Sequence, residues 1–142
     1  MSQAPLHRFE RPLRIRFAHC DPAGIVFFPQ YMVMFNGLLE DWFTDGLGVA
    51  YGALISTRRI GTPTVSLACD FSAISRMGDE VTLGLSVLRI GGASFRLSLG
   101  CRRGDEARVR MTQVLVTTDL DTHRPIAIPD DIRVAMAPFQ TE

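Results

Sequence analysis

Asp21-Pro22-Ala23-Gly24-Ile25-Val26-Phe27-Phe28-Pro29-Gln30-Tyr31 is the stretch in which the hydrophobic period of the chain changes. Ahead of it, Leu13-Arg14-Ile15-Arg16-Phe17 alternates apolar side chains with arginines, the period of two of a half-buried strand. His19-Cys20-Asp21-Pro22-Ala23-Gly24 then brings Asp, Pro and Gly together, which favours a turn. From Pro29 the period lengthens: Tyr31, Phe35, Leu38, Leu39, Trp42 and Phe43 recur at spacings of three and four and trace one face of a helix. Pro29 suits the first helical position, where a missing N–H costs nothing, and Gly46 and Gly48 end the helix. Met32, Val33 and Met34 are apolar on the other side as well, a pattern that predicts a helix surrounded by protein.

Working outward, Val49 to Gly61 reads as a loop, and strands dominate after it. Pro63, Val65, Leu67, Cys69 and Phe71 alternate with smaller or polar residues, as do Val81, Leu83, Leu85 and Val87. Gly91-Gly92 supplies a hairpin turn into Phe95, Leu97, Leu99 and Cys101. Arg103-Gly104-Asp105 turns into a last strand from Arg108 to Thr118, whose apolar parity slips between Met111 and Val114 and predicts a bulge there. A short helix follows Pro129. Strand, long helix and four hairpin-linked strands make an α+β fold, a curved five-stranded antiparallel sheet with one face on the helix. Such a sheet leaves edge strands bare, and pairing two protomers would cover them.

A chain of 142 residues fits a single domain spanning 1–142. Fifteen Lys+Arg balance fifteen Asp+Glu, which removes the whole-chain argument for nucleic acid or an anionic membrane. No apolar run approaches the roughly 18 residues of a membrane helix, and Met1 to Pro12, polar and broken by Pro5 and Pro12, does not read as a signal peptide. The expectation is a soluble cytoplasmic protein with no membrane and no nucleic-acid partner. Cys20, Cys69 and Cys101 lie far apart without a CxxC pair, which fits reduced thiols, and Cys69 and Cys101 fall in apolar alternation as small buried hydrophobes. His7, His19 and His123 do not cluster with cysteines at zinc spacing, so no metal is expected.

Chemistry is best sought at Asp21, a carboxylate just before the N-terminus of a buried helix. The first N–H groups of that helix lack internal partners and carry the positive end of its dipole, so a substrate oxygen gaining charge could sit against them. Asp21 could attack a carbonyl carbon or act as general base on a water. Asp-Pro is also a common turn opener, and spacing alone leaves the structural role open.

The string Cys20-Asp21-Pro22-Ala23-Gly24-Ile25-Val26, an aromatic pair, then Pro29-x-Tyr31 resembles the signature of the 4-hydroxybenzoyl-CoA thioesterase family of hot-dog proteins. Ile60-Gly61-Thr62-Pro63-x-Val65-Ser66 is similar to that family's second strand, and the likeness runs from Leu13 to about Ile132. It implies an acyl-CoA thioesterase, with a 4-hydroxybenzoyl-like aromatic or medium acyl group, in which Asp21 is the catalytic carboxylate and the backbone N–H of Phe28 polarises the thioester carbonyl. Phe28 stands where a family enzyme has Tyr, which removes a hydroxyl, and His19 replaces an acidic residue. His19, Phe27, Tyr51 and Thr62 fall at substrate-binding positions. The family's Arg-Arg pair for CoA phosphates is here Gly91-Gly92, which leaves Arg89, Arg58 and Arg59 as the candidate CoA cations. The resemblance also implies a homodimer as the minimal unit, a homotetramer as the larger one, and no cofactor beyond the CoA of the substrate. Two rivals remain: a hot-dog dehydratase using His19 beside Asp21, and an acyl-CoA-binding module without catalysis. The residues before Leu13 are too few for a helix-turn-helix.

Overall fold

The structure, a computed structural model, describes residues 6–141; Pro5, read above with Pro12 as a breaker, lies outside them. Strand β1 (Phe9–Arg14) leads through a 3-10 turn to helix α1 (Pro29–Asp41), followed by α2 (Tyr51–Ser56), β2 (Ile60–Gly61) and β3 (Thr64–Phe71). Strands β4 (Glu80–Ile90), β5 (Ser94–Arg103) and β6 (Glu106–Val116), then β7 (Thr118–Asp119) and α3 (Asp130–Met136), complete the chain. The main sheet has five antiparallel strands in the order β1-β4-β5-β6-β3, with both β1 and β3 as edges, and β2 pairs with β7 separately. Among the described residues no helix is long and apolar enough to cross a membrane.

The period-two patterns build the core. Val81, Leu83, Leu85 and Val87 of β4 face the same way as Phe95, Leu97, Leu99 and Cys101 of β5 and Val109, Met111 and Leu115 of β6, and all are buried. Tyr31, Phe35, Leu38, Leu39, Trp42 and Phe43, the stripe read from the sequence, are buried in the same cluster. Burying each such side chain contributes about 1.5–3 kcal/mol. This is the hot-dog arrangement expected of the chain. Burial also pushes the Cys101 thiol up to about 12, whereas Cys69 is only half-buried.

Four details differ from the sequence reading. The first strand is Phe9–Arg14, not Leu13–Phe17. Ile15 is buried as its pattern requires, but its N–H donates to Asp79 O (2.8 Å) and its carbonyl accepts from Gly78, so the chain has left the ladder. Pro12 is tolerated because β1 is an edge. The supposed loop from Val49 to Gly61 contains α2 and β2, elements too short to show a period. The long helix does run to Gly46, but its last turn, Trp42–Gly46, is a π-turn closed by Leu47 N–H on Trp42 O (2.8 Å). No bulge falls on β6 between Met111 and Val114: its register with β5 is unbroken from Val109 to Val116. The bulge facing that stretch lies on β3 between Thr64 and Ser66, and the irregularity of β6 itself comes at its start, between the Cys101–Val109 and Arg102–Ala107 pairs. Gln113, on the core parity of β6, turns its amide to Thr64 Oγ1 (2.7 Å), and this polar intrusion is what reads as a slip.

On the outer face of the sheet Gly84 opposes Gly100, and His7 lies across both. A Cβ at either glycine would come within 2.6 or 2.8 Å of the imidazole. Arg8 N–H donates to Ser86 Oγ (2.8 Å), which fixes the segment there.

Candidate active site

Residues 20–26 fold back on themselves, with Cys20 bridged to Val26 and Asp21 N–H donating to Ile25 O (3.0 Å). Asp21 opens the turn, Pro22 takes its second position, and Gly24 N–H closes it on Asp21 O (3.0 Å) with φ +78° at Gly24. The Asp21 carboxylate belongs to the same turn, because Oδ1 accepts the N–H of Ala23 at 2.8 Å. Asp21 is half-buried, and Oδ2 has no partner among the described residues.

The turn delivers the chain directly to α1. Phe27 N–H donates back to His19 O (3.0 Å), Gln30 N–H to Phe27 O (2.8 Å) and Tyr31 N–H to Phe28 O (3.1 Å). Pro29 has no N–H to offer. The N–H of Phe28 makes no hydrogen bond among the described residues, which leaves it as a donor at the positive end of the helix. Around it lies an exposed apolar patch: the Phe28 ring is 60% exposed and meets Phe27 (centroids 5.6 Å apart) and Phe71 (6.1 Å). Phe71, at the end of β3, escaped notice as a site residue because its parity already explained it as core.

His19 is oriented by Arg16, whose N–H donates to Nδ1 at 2.9 Å. The proton of the neutral ring therefore sits on Nε2. Burial holds the His19 pKa below its ordinary value, and the Arg16 charge lowers it further. The neutral form is the one compatible with accepting from Arg16.

The other expected site residues are elsewhere. Tyr51 packs its ring on Phe43 (centroids 5.5 Å apart), at the far end of α1 from Phe28. Fifteen residue steps lead from Phe28 to Phe43, roughly 22 Å along the axis. Thr62 precedes β3 at the end opposite Phe71, another separation of more than about 20 Å along the strand. Its hydroxyl is buried without a hydrogen-bond partner among the described residues. Arg89, beside the Gly91-Gly92 hairpin, is also at this end, because Ile90 pairs with Phe95, which in turn pairs with Leu115 and so with Thr64. One chain thus carries Asp21, His19, Phe27 and Phe28 at one end of its sheet, and Tyr51, Thr62 and the arginines at the other.

The arginines themselves are not equivalent. Arg58 donates to both carboxylate oxygens of Asp131 (2.8 and 3.0 Å), and Arg59 donates to Asp121 (3.1 Å). Arg89 has no ion pair among the described residues and lies directly across from Arg96. Like charges facing each other on adjacent strands repel. The two flank a depression of about 140 Å³ floored by Gly91, Ser94 and Val114. Arg96 was missed because only the hairpin register places it opposite Arg89.

Five antiparallel strands packed on one long helix define the fold class. The sequence matches the thioesterase-like superfamily over residues 15–136, and the chain belongs to that family of thioester hydrolases. It is 20% identical over 127 residues to the acyl-CoA thioesterase YbgC of Haemophilus influenzae, covering 89% of this chain and 93% of that one. It is 34% identical over 71 residues to the 4-hydroxybenzoyl-CoA thioesterase of Pseudomonas sp. strain CBS-3, about half of each chain (49% and 50%). Among solved structures, a gentisyl-coenzyme A thioesterase superposes with a TM-score of 0.83 at 27% identity, covering 91% of this chain and 100% of that one. A thioesterase-superfamily protein from Jannaschia sp. CCS1 reaches 0.87 at 19% identity, covering 100% and 99%, a likeness of fold.

Proposed function

We propose that this protein hydrolyses an acyl-CoA thioester, with a 4-hydroxybenzoyl-like aromatic or medium acyl group, to the carboxylic acid and free CoA. The observation that carries the reading is the combination of Asp21 and Phe28: a carboxylate oriented by its own turn, just ahead of a helix whose first N–H has no partner among the described residues. The thioester oxygen takes the Phe28 N–H, which stabilises the charge that develops as the carbonyl carbon is attacked. Asp21 either attacks that carbon, giving an enzyme-bound anhydride that water then opens, or takes a proton from the attacking water. In the first route the CoA thiolate leaves as the anhydride forms, and in the second it leaves as the tetrahedral adduct of water collapses; neither calls for a cofactor. Phe27 and Phe28 line the acyl side, with the neutral His19 at the rim.

Separation of the site residues supports a homodimer. Val65 (60% exposed) and Leu67 (50%) lie on the bare edge strand β3. Antiparallel pairing of two β3 edges about Leu67–Ala68 joins the sheets and covers these side chains. It also sets the Phe71 end of one strand beside the Thr64 end of the other. Tyr51 and Thr62 of the partner subunit then complete the pocket at Asp21, and Arg89 with Arg96 supplies positive charge for the phosphates of CoA. Two such dimers make the expected tetramer.

Thiol release from a panel of aryl- and alkyl-CoA esters tests the activity. Release of CoA from an aryl ester, abolished by Asp21→Asn, is expected. Binding without release, or hydration of an enoyl-CoA in its place, would overturn the reading in favour of a binding module or a dehydratase.

A further inference from the structure

We infer that Arg108 and Asp79, acting through Ser75 and Tyr31, are positioning residues that hold the Asp21 turn in register with the start of α1; the inference rests on Asp21 being the catalytic carboxylate. Arg108, on β6, is a charged side chain that is only 6% exposed. Its Nη1 donates to three acceptors of one segment: Ile74 O (2.6 Å), Ser75 Oγ (3.2 Å) and Asp79 Oδ2 (3.1 Å). Asp79, 9% exposed, is satisfied on both oxygens, since Arg103 donates to Oδ1 (3.1 Å) and Arg76 N–H to Oδ2 (3.0 Å). The Arg108 carbonyl accepts Ser72 N–H (2.9 Å), so β6 grips residues 72–79 by side chain and backbone together.

That segment is what the catalytic turn leans on. Val26 N–H donates to Ser75 O (2.9 Å), Ile25 bridges to Arg76, and Met77 N–H donates to Gly24 O (3.1 Å). The outgoing limb of the Asp21 turn therefore takes its backbone partners from residues that Arg108 and Asp79 fix. Helix α1 comes to the same point, because the buried Tyr31 phenol lies beside the Ser75 side chain. Ser75 thus meets Arg108 with its hydroxyl and Val26 with its carbonyl, with the Tyr31 phenol beside it. Through it the carboxylate turn and the Phe28 N–H share one reference. Arg108 also ion-pairs through Nε with Glu106, an exposed residue of its own strand. Buried ion pairs add little net stability over apolar packing, so the buried Arg108–Asp79 half of this network, directed at one loop, is best explained by the geometry it imposes. A small misplacement of a nucleophile costs far more in rate than in binding.

The test uses Tyr31→Phe and Ser75→Ala, which remove only hydroxyls, and the paired replacement Arg108→Met/Asp79→Asn, which avoids leaving a lone buried charge. Steady-state kinetics are measured beside amide exchange of the full-length protein. Expected are a fall in kcat of about tenfold or more for the paired replacement, with KM held within about twofold, and faster exchange at Val26 and Met77 with Leu85 and Leu99 unchanged. In an Asp21→Asn background the paired replacement should add no further loss of kcat. Wild-type kcat in the folded variants, or exchange at Val26 that rises only in step with Leu85, would overturn the inference. If the paired replacement fails to fold, the two hydroxyl variants decide by the same criteria. Should Asp21→Asn itself retain full turnover, the catalytic reading of Asp21 falls, while exchange at Val26 still reports whether the device holds the turn.

Discussion

Ala23 donates its N–H to Oδ1 of Asp21 at 2.8 Å, so the carboxylate is anchored by one oxygen inside its own turn. Asparagine keeps that acceptor and the same turn preference. It cannot attack a carbonyl as a carboxylate does or take a proton from water at neutral pH. Asp21→Asn is therefore expected to lower kcat by at least about a hundredfold with an unchanged thermal midpoint. Near-normal turnover in a variant of unchanged stability would reduce Asp21 to a turn residue.

Arg89 and Arg58 should respond differently to neutralisation. Arg89 faces Arg96 and has no ion pair among the described residues, whereas Arg58 already spends its guanidinium on Asp131. Arg89→Gln is expected to raise KM for an acyl-CoA several-fold and leave kcat intact, the pattern of lost uniform binding. Arg58→Gln should leave KM alone and cost at most about 1 kcal/mol of stability, as for an exposed pair. An unchanged KM in an Arg89→Gln/Arg96→Gln variant would remove this end of the sheet from CoA binding.

Leu67, half exposed near the middle of the β3 edge, sits where two such edges would cross. Leu67→Lys adds a charge that an isolated chain tolerates in water and a paired edge does not. Sedimentation should find the wild type as a dimer or larger at micromolar concentration and the variant shifted to monomer, with hydrolysis lost in parallel. A variant that keeps its assembly state would place the interface elsewhere.

His7 gives a pH-dependent contribution of predictable sign. Burial over Gly84 and Gly100 holds its pKa below 6.5, aided by Arg102 and Arg110 and opposed by Glu10. The folded chain thus binds this proton less readily than the unfolded chain does. Stability from this site is complete above the ordinary value of 6.5 and falls as pH drops below it, levelling once the folded-state pKa is passed. Urea midpoints compared at about pH 7.5 and about pH 5 should differ less in His7→Gln than in the wild type. Equal losses in the two proteins would show that His7 does not carry the effect.

Much of this was legible from residue order. The stripe from Tyr31 to Phe43 and the odd-numbered residues of β4 and β5 state their faces directly, because a period needs only a dozen residues to declare itself. Elements of fewer than two turns, such as Tyr51–Ser56, leave no such mark. Gln113 misled for a related reason: its polar side chain on the core parity of β6 answers to Thr64, a partner on another strand. The turn at Asp21 is local chemistry and could be read. The facing of Arg89 with Arg96, and the convergence of Tyr31 and Arg108 on Ser75, depend on register and on contacts across the whole chain. The split of the site between the two ends of the sheet is of that second kind, since spacing does not tell which end of a strand lies near which loop.

That split carries a genetic consequence. If every working centre takes Asp21 from one chain and Thr62 from another, two defective proteins can repair each other. Asp21→Asn mixed with Tyr51→Ala/Thr62→Ala would form hybrids in which both lesions fall in the same centre, leaving its twin intact. With random exchange at equal amounts, half the dimers are hybrids and each has one sound centre of two, so about a quarter of wild-type turnover should reappear from parents that have almost none. Complementation of this kind would be impossible for a centre built within one chain.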